Sequence, residues 1–369
     1  MRTISRTTTA ALAAAALALG AAACGGDDGA ATGATAGGDR AAPLSGQLAG
    51  AGASSQAAAM EAWTAGFQQR HPDVTIAYDP IGSGGGREQF LAGGVAFAGT
   101  DAPLDAEELQ QARTRCGDVV ELPVYLSPIA IIYNLDGVDE LQLSPRTLAH
   151  VLAGRIRRWD DPAIARDNPG VDLPDLPITP VHRADESGTT ENLAEYLAAA
   201  APDAWPFEVS GDWPVRGGEA ADGTSGVVDA VAAGEGTIGY ADASQAGDLG
   251  IARIRVGDAF VGPTPEAAAA IVAASPRVAG AGRHVFAYEL RRDTTAAGTY
   301  PIVLVSYVVA CTDGASAEQA ALVRSFLDYV ISAEGQAAAA RAAGSAPLAD
   351  DLRAELQGAV DAIGSRDAR

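Results

Sequence analysis

Three times in its first third the chain passes from a short apolar strand into a turn of glycine and small hydroxyl residues, and then into a helix. That repetition constrains the fold more than any other feature. Gln47-Leu48-Ala49 reads as a strand, Gly50-Ala51-Gly52-Ala53-Ser54-Ser55 as its turn, and about Gln56 to Arg70 as the helix. Val74–Tyr78 then leads into Ile81-Gly82-Ser83-Gly84-Gly85-Gly86 and a helix around Arg87–Leu91. Phe97–Leu104 forms a third strand and turn ahead of an acidic helix near Asp105–Thr114. Strands alternating with helices in this way specify an α/β fold. In an open parallel sheet such turns gather at the carboxyl edge, where ligands bind. Neither glycine turn carries a nucleotide fingerprint, because the second has no Lys-Ser/Thr ending and no acidic residue follows on a second strand in the right context.

A fourth stretch, "HRADESGTTENL" from His182 to Leu193, packs an arginine, several carboxylates and a Ser-Gly-Thr-Thr string into twelve residues. Ser187-Gly188-Thr189-Thr190 before Glu191–Leu197 reads as a loop turning into a helix, with a capping box as the plain explanation. The start of a helix also offers unpaired N–H groups and the positive end of its dipole, and an arginine supplies a fork for oxyanions. From this string alone, a cap and an anion site are both open.

The N-terminus assigns the compartment. Arg2 and Arg6 precede an alanine-rich apolar stretch, Ala10–Ala23, that has the order of a secretory signal and is too short to span a membrane permanently. Its end, Ala21-Ala22-Ala23-Cys24, resembles a bacterial lipoprotein signal with Cys24 as the lipidated residue, although the usual pattern prefers Leu where Ala21 stands. Residues 1–23 are therefore expected to be a signal and 24–43, rich in Gly, Ala, Asp and Thr, a flexible tether. Cys116 and Cys311 remain as an even pair in an exported chain, either a disulfide or two buried thiols. Their spacing and the four scattered histidines offer no metal-ligand pattern, and no cofactor is expected. What is left after the tether, about 325 residues, exceeds one core and calls for two lobes. The net charge of −22 repels nucleic acid and would repel an anionic ligand at long range. Any anion site in such a chain must work through short-range hydrogen bonds.

Taken together, Gly50–Ser54, Ile81–Gly85, Thr100–Leu104 and Arg183–Thr190 occur in the order and spacing of one family. The chain resembles the phosphate-binding proteins of bacterial high-affinity phosphate ABC transporters, the PstS family, within the periplasmic-binding-protein type 2 superfamily. The resemblance runs from about Leu44 to Ala346-Pro347-Leu348. It implies an α/β fold of two lobes, each a mixed sheet flanked by helices, joined by two crossover strands acting as a hinge. Val124–Asn134 and Tyr300–Ala310, the long apolar runs, are the expected crossovers. The first lobe is expected to comprise 44–129 and 303–369, and the second 130–302.

The resemblance further implies a monomeric, membrane-anchored receptor that closes on inorganic phosphate and hands it to permease subunits, without catalysis. Its phosphate-binding positions fall on Ser54, Ser55, Ser83, Asp101, Arg183, Ser187, Gly188 and Thr189, with Asp185 holding the arginine in place. Ser55 departs from the family, which typically has Phe there. Asp101 is chemically informative, since a carboxylate beside an anion repels it unless the anion brings a proton; phosphate near neutral pH does and sulfate does not. Two alternatives stand beside this reading. One is a receptor for another tetrahedral oxyanion such as sulfate or molybdate. The other is a phosphoester hydrolase, against which count the missing Ser-His-Asp set and the absence of an evident general base for the hydroxyls. Trp159, Trp205 and Trp213 are expected to pack rather than bind, and Gly223-Thr224-Ser225-Gly226 to flank the cleft.

Overall fold

The computed structural model describes residues 44–365; the signal and tether regions and Cys24 lie outside them. The chain opens with β1 (Gly46–Gly52), α1 (Ala57–Arg70), β2 (Val74–Asp79), α2 (Ser83–Ala92), β3 (Phe97–Thr100) and α3 (Ala106–Cys116). β1 pairs in parallel with both β2 and β3, so the three glycine turns do leave one edge. β1 is longer than its apolar core suggests because glycine serves the sheet there. A Cβ on Gly50 would lie 2.2 Å from the Phe97 ring, so the residue that reads as a turn is the one that lets β3 pack.

β4 (Val119–Asn134) follows, a 16-residue strand in which every residue but the last is buried. Continuous burial on both faces explains why it reads as an unbroken apolar run. Beyond it come β5 (Gln142–Leu143), α4 (Pro145–Leu152), α5 (Pro162–Asp167), β6 (Thr179–Arg183), α6 (Gly188–Ala200), β7 (Glu219–Ala221), α7 (Gly223–Ala233) and β8 (Thr237–Asp242). The next elements are β9 (Gly250–Ile251), β10 (Arg253–Val256), β11 (Ala259–Val261) and α8 (Pro265–Ala273). β12 (Val303–Cys311) returns to the first sheet, and α9 (Ala317–Ile331), α10 (Ala333–Ala343) and α11 (Asp350–Ala362) cover it. The Ala-rich stretch near the C-terminus is thus helical, as its composition predicts.

The main sheet runs β2-β1-β3-β12-β4-β8-β6-β7, with β9 on β4, and a small sheet orders β11-β10-β5. β12 is antiparallel to β3 and to β4, while β4 is antiparallel to β8. β6 is parallel to β7 and β8. Two mixed sheets therefore share one long strand, and each has its own hydrophobic core. One core gathers Trp63, Phe67, Phe97 and Phe326, the other Tyr133, Trp159, Tyr196 and Trp205. The crossovers start earlier and later, respectively, than the apolar runs indicate: β4 begins at Val119, and β12 at Val303. Tyr300 precedes β12 and donates its hydroxyl to Ile129 O at 2.8 Å.

Cys116, at the end of α3, is bonded to Cys311, at the end of β12, across 195 residues of sequence. Of the two readings the sequence leaves open, the structure takes the disulfide. Closing so long a loop restricts the unfolded chain by about 5 kcal/mol in the loop-entropy picture.

Candidate functional site

Six strands end at one place. β1, β2 and β3 deliver the turns holding Ser54, Ser83 and Asp101, while β6, β7 and β8 end at Arg183, Ala221 and Asp242, directly before further turns. The two parallel triplets, one in each lobe, thereby point their carboxyl ends at each other across β4 and β12, the arrangement that builds a ligand crevice.

The starts of α1, α2, α6 and α7 also converge. Ser54 and Ser55 form the 3-10 turn that precedes α1, and Ser83 is the first residue of α2. Gly82 caps α2 at φ +96°, a conformation that favours glycine, and a Cβ there would stand 2.4 Å from Asp185 Oδ2. Ser187 caps α6 and accepts Thr190 N–H at 3.2 Å. The cap is real but the box is not, because Thr190 rather than Glu191 occupies the third helical position. Ser187 Oγ still keeps its own proton to donate.

The Arg183 side chain is 2% exposed, and its guanidinium grips Asp185 with two bonds: Nε donates to Oδ1 at 2.7 Å, and Nη2 donates to Oδ2. Asp185 Oδ1 also accepts Gly223 N–H at 3.0 Å. Burial alone would push the Asp185 carboxyl up, but the Arg183 hydrogen bonds and charge, with the Gly223 N–H, hold it below its ordinary value. The fork is oriented, and its remaining N–H groups are free of Asp185.

Asp101 is buried as well. Ser55 Oγ donates to both carboxylate oxygens, at 2.7 and 2.8 Å. Ser306 Oγ donates to Oδ1, and Thr189 Oγ1 to Oδ2 at 3.2 Å. Burial pushes the carboxyl above its ordinary value, and these hydroxyls together with the Arg183 charge pull against it. The sequence reading that the hydroxyls lack a base is corrected here: Ser55 does face a carboxylate. That carboxylate is shared among three hydroxyls.

The lobes touch at several of these residues. Ser54 Oγ lies 3.0 Å from Thr224 Oγ1 and accepts Thr224 N–H at 3.1 Å. Gln245 Nε2 donates to Ser54 O and Ser55 O at 3.1 and 3.3 Å. Asn192 Nδ2 donates to Asp101 O at 2.8 Å. Arg87 on α2 reaches Glu186 Oε1 at 2.8 Å while also holding Glu108. A cavity of about 400 Å³ lined by Ser54, Ile81, Asp185, Gly223 and Gln245 adjoins this cluster.

All nine residues expected in or behind the site are thus in one cluster, and several more join it. Thr224 stands at a helix start of the same glycine-hydroxyl composition as the others, so its signal was legible. Ser306 is a lone hydroxyl inside a buried apolar strand, which is a weaker signal. Gln245 and the Arg87–Glu186 pair had none. Behind Arg183, Trp213 stacks between His182 and Tyr240, with ring centroids at 5.2 and 5.6 Å, a packing role of the kind expected of the tryptophans.

The PBP superfamily domain matches residues 37–334 of the chain. Phosphate-binding protein PstS 3 of Mycobacterium leprae (strain TN) is 34% identical over 92% of this chain and 94% of its own length. The chain belongs to the PstS family of phosphate-binding proteins. A second PstS relative, Phosphate-binding protein PstS 3 of Mycobacterium tuberculosis (strain ATCC 25618 / H37Rv), is 35% identical over 92% of this chain and 94% of its own. Among solved structures, a high affinity periplasmic phosphate-binding protein, PfluDING, bound with phosphate, superposes with a TM-score of 0.68. It is 25% identical, over 85% of this chain and 93% of that one. The fold of this PstS-family chain is the two-lobe type that the sequence resemblance implies.

Proposed function

We propose that this PstS-family chain is an extracytoplasmic receptor that captures inorganic phosphate between its two lobes and delivers it to the permease subunits of an ABC importer. The observation that carries the reading is the cluster of Arg183, a buried carboxylate and hydroxyl-bearing helix starts where six strand ends meet. Phosphate removed from water needs a donor for nearly every lone pair. The Ser54, Ser83 and Ser187 hydroxyls, the N–H groups of Ser55, Gly188 and Thr189, and the free side of the Arg183 fork can supply them. Asp101 would accept the ligand's proton, and Asp185 would hold the arginine. Because the ion would contact both lobes, binding would favour the closed arrangement.

The lobe limits proposed with this role are 44–129 with 303–369 for the first lobe and 130–302 for the second, with Ala268, Ile271, Val272 and Phe286 of the second range packing into the core of the first. Export and attachment to the outer face of the cell membrane through a lipid on Cys24 complete the proposal, with the receptor acting as a monomer and no reaction catalysed. A Cys24→Ser variant should leave the membrane fraction, and retention would count against the anchor.

The deciding experiment is calorimetric titration of the purified protein with phosphate, arsenate and sulfate. Phosphate and arsenate should bind about equally, and sulfate should be weaker by several powers of ten, since two opposed buried charges cost several kcal/mol and each 1.4 kcal/mol is tenfold. Sulfate within about tenfold of phosphate would remove the role given to Asp101. Turnover of a chromogenic phosphoester would replace the receptor with a hydrolase.

A further inference from the structure

We infer that Ser306, on the crossover strand β12, is a positioning residue for anion choice: its hydroxyl, aimed by Gln56, fixes Asp101 as an acceptor and so makes the site demand a proton from its ligand. This rests on the reading of Asp101 as the group facing the bound oxyanion.

The direction of each hydrogen bond follows from chemistry. Gln56 Nε2 lies 3.0 Å from Tyr307 O and 2.6 Å from Ser306 Oγ. A carbonyl can only accept, so the amide nitrogen must be the end that faces both atoms. Ser306 Oγ is then an acceptor toward Gln56, and its single proton is left for Asp101 Oδ1. Gln56 and Ser306 are both fully buried. The partner strand is irregular beside this contact: Ser306 pairs with Tyr125 and Tyr307 with Pro123, which leaves Val124 of β4 as the extra residue, and Pro123 has no N–H for the ladder.

A carboxylate has about four lone-pair sites. Ser306 takes one on Oδ1, Thr189 takes one on Oδ2, and the single Ser55 proton is shared between the two oxygens. Three protons for about four sites leave one site open. A ligand O–H fits it, whereas a fully deprotonated oxyanion meets a lone pair with a lone pair. If the Ser306 hydroxyl is lost, Oδ1 is short of a donor in a dry site, and the cheapest repair is a proton on Asp101 itself. The carboxyl then becomes a donor, and sulfate is no longer refused. Burial already pushes this carboxyl up, and the Ser306 hydroxyl is the foremost of the groups that oppose the rise.

The experiment is the ratio of sulfate to phosphate dissociation constants, by calorimetry at one neutral pH, for the unaltered protein, Ser306→Ala and Ser306→Thr. Ser306→Ala should lower the ratio by about tenfold or more, and Ser306→Thr, which keeps the hydroxyl, should restore it. A merely structural role would weaken both anions alike and leave the ratio in place, so a ratio in Ser306→Ala within about twofold of the unaltered protein overturns the inference. Ser306→Cys, which fills the space but donates weakly, gives the same comparison if the alanine variant does not fold. Absence of discrimination in the unaltered protein is a separate result that overturns the Asp101 reading and this inference with it.

Discussion

Gly188 offers a way to separate binding from folding. It is the first residue of α6, on the second lobe, and a Cβ there would lie 2.7 Å from Asp101 Cβ and 2.7 Å from Ser83 Oγ, both on the first lobe. Carbon atoms in contact stand about 3.5–4.0 Å apart, so Gly188→Ala must part the two lobes by roughly 1 Å at this point. Two bonds cross the same gap, Thr189 Oγ1 to Asp101 Oδ2 at 3.2 Å and Asn192 Nδ2 to Asp101 O at 2.8 Å. A movement of that size stretches both past useful length. At about 1.5 kcal/mol for each buried bond, phosphate affinity should fall on the order of 100-fold. Stability should not follow, because alanine is the better helix residue by up to about 1 kcal/mol and the lobes can part without exposing either core. Calorimetry and thermal unfolding of the variant measure the two quantities. An affinity within about threefold of the unaltered protein would refute closure at this contact, and a large drop in melting temperature would assign the loss to folding instead.

Arg183→Ala should weaken phosphate binding by about 2–4 kcal/mol with the circular dichroism spectrum unchanged, the scale for truncating a buried charge-assisted partner; unaltered affinity would move the site elsewhere. Glu121 is fully buried beneath the Asp101 loop, where Oε1 accepts Leu104 N–H at 2.8 Å and Oε2 has no partner. Burial pushes this carboxyl up to about 8, so between its unfolded value and pH 8 the folded state holds more protons and stability falls as pH rises, by up to about 1.4 kcal/mol per pH unit. Urea unfolding from pH 5 to 9 should therefore show a shallower fall in Glu121→Gln, and identical slopes would contradict the assignment. Raising sodium chloride from about 0.02 to 0.5 M should leave phosphate affinity constant or slightly improved, because the net field of this acidic chain opposes the anion and salt screens it. A loss of more than about tenfold over that range would mean long-range attraction governs capture.

The sequence by itself determined the α/β class, the strand-turn-helix order of the first lobe and the residue types at the four turns that meet in the cluster. These are local matters: glycine and hydroxyls before a helix mark a turn and a cap, and an unbroken apolar run such as Val124–Asn134 marks a buried element. It also brought Cys116 and Cys311 forward as a pair, without choosing between bond and thiols. Tertiary structure decided what depends on distance across the chain. Ser55 reads as a departure with an uncertain consequence; folded, its hydroxyl lies on Asp101. Ser306 is one polar residue in a strand, and it gains a role only because β12 pairs with β3, which carries Asp101 just past its end. Thr224, Gln245, Arg87 and Glu186 are 170, 191 and 99 residues from the partners they meet across the cleft, Arg87 and Glu186 meeting each other. Local propensity carries no information about such pairings, since it is the packing of two sheets on a shared strand that brings their carboxyl ends face to face.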